Sequence, residues 1–169
     1  MLEIFYPDEY LDSAYVIDYA DFYRRGYRGI VFDIDNTLVP HGAPADERAR
    51  ALFSYLGSLG FSCCLLSNNQ RERVEMFNRE IGAYFIEDAH KPSRKGYERA
   101  METMGTTRST TLFVGDQLFT DVYGARRTGL YSILVKPIHP KEEIQIVFKR
   151  KLERIVLYFY RKQVERKAG

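Results

Sequence analysis

Residues 31–39 read VFDIDNTLV, with Asp33 and Asp35 one residue apart where an apolar run ends. Like charges that close raise the cost of ionising each other. The pair is therefore either an ordinary turn or a site with something positive beside it. Partners occur further along. LLSNN closes a second apolar run with Ser67 and Asn68, HKPSRKG carries Lys91 and Lys95, and TLFVGDQLFTD closes another with Asp116 and continues to Asp121. Brought together, the carboxylates of Asp33, Asp35 and Asp116 form an all-oxygen pocket that suits a hard divalent cation, most simply Mg²⁺. Ser67, neighbouring backbone amides and Lys91 suit a phosphate's remaining oxygens, with Lys95 the competitor for the lysine's role. Such a set supports phosphoryl transfer, where positioning and charge neutralisation dominate. A carboxylate can itself be the nucleophile. Asp33, first at the strand end, takes that part. Asp35 then protonates the leaving oxygen and activates water, which requires the two carboxyls to occupy different environments.

The elements that must position these groups follow from periodicity. Apolar runs predict strands at 29–33, 61–67, 83–87, 111–116 and 131–135. Between them, apolar residues at helical spacing predict helices at 45–59, 70–81, 93–104 (capped by Ser93) and 120–128 (ended by Gly129). Strands alternating with helices imply βαβ units and a mostly parallel five-stranded sheet covered on both faces. Ligands of such sheets bind beyond the carboxyl ends of the strands, where the residues named above fall. The aromatic segment 1–28, rich in Tyr, reads as packing on a core spanning 1–140.

With these motifs in hand, the chain resembles the haloacid dehalogenase superfamily of phosphatases. DIDNT (33–37, including Thr37) resembles its first motif, Ser67 the second, Lys91 the third, and GDQLFTD (115–121) the acidic fourth. The wording DIDNTLV, LSNN, KP and GDQLFTDVYGA is most similar to the YqeG-type group of subfamily IIIA, which includes relatives of the mitochondrial phosphatidylglycerophosphate phosphatase. The resemblance implies a Rossmann-like three-layer sandwich with strand order 5-4-1-2-3. It implies Mg²⁺ held by the Asp33 side chain, the Asp35 carbonyl and Asp116, with Asp121 and Thr37 supporting and Ser67, Asn68 and Lys91 on phosphate. Phosphatidylglycerophosphate is the substrate it suggests.

Spacing adds one point. Ser67 follows Asp33 by 34 residues and Lys91 follows Ser67 by 24, while one βαβ unit takes about 30. No room remains for a large cap domain, so the site is open and suits a bulky phosphomonoester such as a phospholipid. Residues 141–169 carry nine Lys or Arg against four Glu, +5, and leave the rest of the chain at −3. In this basic C-terminal helix Ile144, Phe148, Leu152, Ile155 and Phe159 recur at helical spacing. Such a stripe either packs on the domain or lies on an anionic membrane surface; attraction to RNA is a third option, and no specific nucleic-acid partner is expected. MLEIFYPDEY lacks the pattern of a signal peptide, and no run approaches the roughly 20 apolar residues of a membrane span. Adjacent Cys63 and Cys64 read as reduced and structural, so a cytoplasmic location, with peripheral membrane contact through 141–169, is the expectation. The rival to a Mg²⁺-dependent phosphatase is a receiver-like or non-catalytic phospho-aspartate signalling or scaffold domain.

Overall fold

The computed structural model describes residues 2–139 and 144–168, with the side chains of 144–148 and 168 outside the description. Six strands form one parallel sheet: β1 (Glu9–Leu11), β2 (Gly29–Phe32), β3 (Ser62–Leu66), β4 (Tyr84–Ile86), β5 (Thr111–Gly115) and β6 (Tyr131–Val135), in the order β1-β6-β5-β2-β3-β4. The five strands expected from the sequence keep their expected order. The sixth, β1, is added at the edge by the N-terminal segment, with Tyr10 level with Leu134. Three half-buried residues carry too little alternation to be recognised as a strand.

Successive strand residues face opposite sides, and this builds three layers. Ile30 and Phe32 of β2, Leu65 of β3, and Leu112 and Val114 of β5 enter one core. Val31, Cys64, Leu66 and Phe113 enter the other. The first core is closed by α1 (Tyr19–Arg24), α2 (Glu47–Leu59) and α3 (Arg71–Asn78), through Phe22, Leu52, Leu56, Val74 and Phe77. The second is closed by α4 (Arg94–Met104) and α5 (Tyr123–Thr128), through Tyr97, Ala100, Met101 and Ala125. Cys64 is buried and Cys63 half-buried; both are free thiols, raised to about 12 by burial.

Local signals set most boundaries. Asp46 caps α2 by accepting the Ala49 amide at 2.8 Å, and Gly60 ends it at φ 100°. Ser93 stands at the start of α4 but makes no side-chain cap there. The helix expected at 120–128 is two pieces, a π-helical turn over Leu118–Val122 followed by α5.

No domain is inserted between β2 and α2 or between β3 and β4. Among the described residues, no helix is long and apolar enough to cross a membrane. The final helix, α6, runs Ile144–Ala168. Its expected start near Lys141, and the side chains of Ile144 and Phe148, lie outside the described residues. It docks through Glu153 and Val156, both buried, with Leu157 alongside. The expected stripe faces the other way: Leu152, Ile155 and Phe159 are 43%, 54% and 47% exposed. The packing reading of that stripe is thereby corrected. The helix does pack, but through residues one position later in its turns. A buried Glu153 that accepts the Leu118 amide at 3.0 Å is invisible to an apolar-periodicity argument.

Candidate active site

β2 ends at Phe32, but the Asp33 amide still donates to the Val114 carbonyl at 2.9 Å, so the first aspartate is held by the neighbouring strand. The chain then reverses at Asn36, φ 62°, a left-handed conformation that Asn tolerates better than most residues. The reversal returns Thr37 towards its own motif: its hydroxyl donates to Asp33 Oδ2 at 3.0 Å and lies 3.3 Å from Asp116 Oδ1.

Asp116 follows β5 directly. Asp121 is carried back by the π-helical turn, which Tyr97 pins by donating to the Thr120 and Asp121 carbonyls at 2.9 and 3.1 Å. A Cβ on Gly115 would stand 2.6 Å from Asp121 Oδ2, so only glycine lets that carboxylate approach the strand end. The result is a buried triad of Asp33, Asp116 and Asp121, each with an oxygen within 4.8 Å of the others. An octahedral Mg²⁺ with ligands at about 2.1 Å spans opposite oxygens by about 4.2 Å. The donor set and its spacing therefore fit a hard divalent cation. Lys91 stands among them, its Nζ 2.7 Å from both Asp33 Oδ1 and Asp121 Oδ1.

Asp35 leaves this cluster. Its Oδ1 accepts the Gly42 amide at 2.8 Å and Arg73 Nη2 at 2.8 Å, and its Oδ2 accepts Asn69 Nδ2 at 2.7 Å. Ser67 is buried, with its Oγ accepting the Asn69 amide at 3.0 Å. Asn68 clamps the backbone of Lys91: its Oδ1 accepts the Lys91 amide at 2.6 Å and its Nδ2 donates to the Lys91 carbonyl at 3.2 Å. The side chain of Asn68 is thus spent on placing the lysine. His41 is exposed, 3.9 Å from Asp35.

Three residues at this edge escaped the sequence reading: Arg73, Arg150 and Glu153. Asn69 was legible as a strand-end residue beside the second motif, though not as the partner of Asp35. Arg73 is one of three arginines in 71–79 with nothing to single it out. Arg150 reaches in from α6, donating to Asp116 Oδ2 at 2.6 Å and to the Asp116 carbonyl at 2.7 Å.

The electrostatics follow from burial. The three carboxylates of the triad and Glu153 face two cations, Lys91 and Arg150, a formal deficit of two positive charges at full ionisation. Burial pushes the Asp33 carboxyl up to about 6, against the pull of Lys91. Burial, then Asp33 and Asp121, raise Asp116 well above the usual carboxylate range despite Arg150. Burial alone would lower Lys91, but Asp121 and Asp33 outweigh it and keep the ammonium charged. A site that holds its acids back from ionising is one that a divalent cation would complete.

A family model described as "HAD-hyrolase-like" matches residues 89–144. "Probable phosphatase YqeG" of Bacillus subtilis (strain 168) is 35% identical over 156 residues, 92% of this chain and 91% of that protein. "Phosphatidylglycerophosphate phosphatase 1, chloroplastic/mitochondrial" of Arabidopsis thaliana is 29% identical over 151 residues, 83% of this chain and 43% of the plant protein. A crystal structure of a protein from Listeria monocytogenes serotype 4b superposes with a TM-score of 0.55 at 15% identity, covering 69% of this chain and 84% of that one. At that identity the likeness concerns the fold alone.

Proposed function

Since the chain belongs to the haloacid dehalogenase superfamily of phosphatases, in its YqeG-type group, we propose that it hydrolyses phosphomonoesters with Mg²⁺ through an aspartyl-phosphate. The observation that carries this reading is the convergence of Asp33, Asp116 and Asp121 on one spot beside Lys91. Those carboxylates, with the Asp35 backbone carbonyl that the family resemblance implies, would hold the ion. Bound there, Mg²⁺ would supply the positive charge that lets an anionic nucleophile approach an anionic substrate.

A carboxylate oxygen of Asp33 attacks phosphorus, and the ester P–O bond breaks. The leaving oxygen takes a proton from the carboxyl of Asp35, which Arg73 and Asn69 hold clear of the triad. Asp35, now a carboxylate, accepts a proton from water as that water attacks the phosphorus of the acyl phosphate. Inorganic phosphate leaves, Asp33 is regenerated as a carboxylate, and Asp35 again carries its proton. Lys91 and the amides around Ser67 bind the phosphoryl oxygens.

Two features favour a phospholipid, of the phosphatidylglycerophosphate type that the Arabidopsis relative's name specifies. A groove of about 230 Å³ beside Asp116 is walled by Tyr10, Leu134, Val135, Pro137 and Leu157. On the outer side of α6, Leu152, Ile155 and Phe159 stand exposed, with Lys151 and Lys162 exposed on the same helix. This combination fits an anionic lipid surface in peripheral contact.

The test is a Mg²⁺-dependent screen of lipid, sugar, nucleotide and phosphopeptide monoesters, with Asp33→Asn as control. EDTA-sensitive turnover that the variant lacks is the expected result, with the lipid substrate preferred. Near-normal turnover by Asp33→Asn would refute the assignment. Stable stoichiometric labelling without turnover would favour the receiver-like reading. Phosphatidylglycerol vesicles should sediment the protein and phosphatidylcholine vesicles should not.

A further inference from the structure

The triad does not rely on Lys91 alone for positive charge. Asp116, 1% exposed, has two of its oxygens taken by one guanidinium: Arg150 Nη2 on Oδ2 at 2.6 Å and Nη1 on the carbonyl at 2.7 Å. Arg150 comes from α6, outside the four motifs that supply the triad and Lys91. The contact is built rather than incidental. Nη1 also reaches Glu153 Oε2 at 3.1 Å, and Glu153 Oε1 accepts the Leu118 amide at 3.0 Å, at the start of the π-helical turn that carries Asp121. Both residues that seat the helix at this edge therefore hold the frame of the cation site.

A guanidinium on Asp116 and a divalent cation in the triad would share an acceptor residue and repel across a few ångströms of low-dielectric interior. Glu153, 3.1 Å from the same guanidinium on the same helix, gives Arg150 a second counter-charge besides Asp116.

Building on the Mg²⁺ reading above, we propose that Arg150 is an internal cation competing with the divalent ion for Asp116, which makes α6 a strap that ion binding loosens. Coupling of this kind is reciprocal: whatever draws α6 away must tighten ion binding, and the ion must weaken the seating of α6.

The experiment titrates Mg²⁺ into the full chain by calorimetry, comparing wild type with Arg150→Gln, Arg150→Lys and Asp116→Asn. Arg150→Gln should bind Mg²⁺ more tightly by at least about fivefold, the lower end of ordinary coupling between sites. Arg150→Lys should fall between that variant and wild type, since it keeps the charge but loses the fork. Asp116→Asn should bind far more weakly than wild type. In the wild type, which needs no variant to fold, saturating Mg²⁺ should speed amide exchange across residues 149–157. If Arg150→Gln binds Mg²⁺ no better than wild type while Asp116→Asn loses it, or if exchange in α6 is unmoved by the ion, the strap is refuted and the cation site stands. If all four proteins bind alike, the cation reading itself has failed and the strap falls with it.

Discussion

Asp33 and Asp35 leave the same strand end and meet opposite surroundings. Asp33 is buried among two other carboxylates with one lysine to share, and burial holds its proton on to about pH 6. Asp35 accepts bonds from an amide N–H, a side-chain amide and a guanidinium, none shared with another acid. The first pocket is short of positive charge; the second is balanced. Two identical side chains can divide nucleophilic and acid–base work because the chain turns at Asn36, so their neighbours differ. The contrast between the two pockets is one of local charge balance, and each prediction below changes one side of it.

The largest effect is expected where the pockets should fail differently. Asp33→Asn should lower kcat by at least about 10⁴-fold and leave nothing to label, in line with the loss of other enzymic nucleophiles. Asp35→Asn should also stop turnover of alkyl phosphates, yet still form phosphoenzyme from p-nitrophenyl phosphate, whose leaving group needs no proton. Acid-quenched labelling measures both. Equal labelling of the two variants would erase the division of roles.

Next comes Lys91, the one ammonium against the triad. Lys91→Met in metal-free protein strands buried carboxylates and should cost about 3–5 kcal/mol in urea unfolding at pH 7.5. The loss should shrink at pH 5, where Asp33 carries its proton.

The wild-type, metal-free protein should itself report the deficit. A carboxyl raised to about 6 binds its proton more tightly folded than unfolded. Its stabilising contribution is therefore complete below the unfolded value, near 4, and is lost as pH rises through 6. For Asp33 the loss is on the order of 3 kcal/mol. Mg²⁺ at neutral pH should restore it, as a rise in Tm. A stability that climbs steadily from pH 4 to 7 in EDTA would contradict this account of the pocket.

How far the sequence disclosed this comparison depends on what each residue advertises. Asp33 and Asp116 end continuous apolar runs, and a charge there stands out because both faces of such a strand are covered. The five strands β2 to β6 were legible for the same reason, but their order was not and came only from the family resemblance. Asp121 was legible only as support, since nothing in QLFTD announces a π-helical turn that swings its carboxylate back over Gly115. Arg73 was hidden among Arg71 and Arg79. Arg150 was hidden because the apolar rhythm of α6 marks Leu152, Ile155 and Phe159, the face that stays outside, whereas the docked face presents Arg150 and Glu153. Apolar periodicity finds cores, and it misses an interface made by a paired arginine and glutamate.

The smallest expected effect tests the balanced pocket. Arg73 is mostly buried and donates to Asp35 Oδ1 through both Nε, at 3.2 Å, and Nη2, at 2.8 Å. It touches none of the triad's hydrogen-bonding oxygens, so its influence on catalysis must pass through Asp35. Arg73→Lys keeps the charge and removes the fork, leaving the carboxyl oriented chiefly by the Gly42 amide and Asn69. The cost should be about tenfold in kcat, or about 1.4 kcal/mol, because orientation of the acid is weakened but not lost. Two readouts separate positioning from a general loosening of the fold. Mg²⁺ affinity should be unchanged, since the charge-deficient pocket is intact. The kcat loss should also be larger for an alkyl phosphate than for p-nitrophenyl phosphate, because only the former requires the proton that Asp35 delivers. An equal loss on both substrates, or a weakened ion, would mean that the two pockets are one.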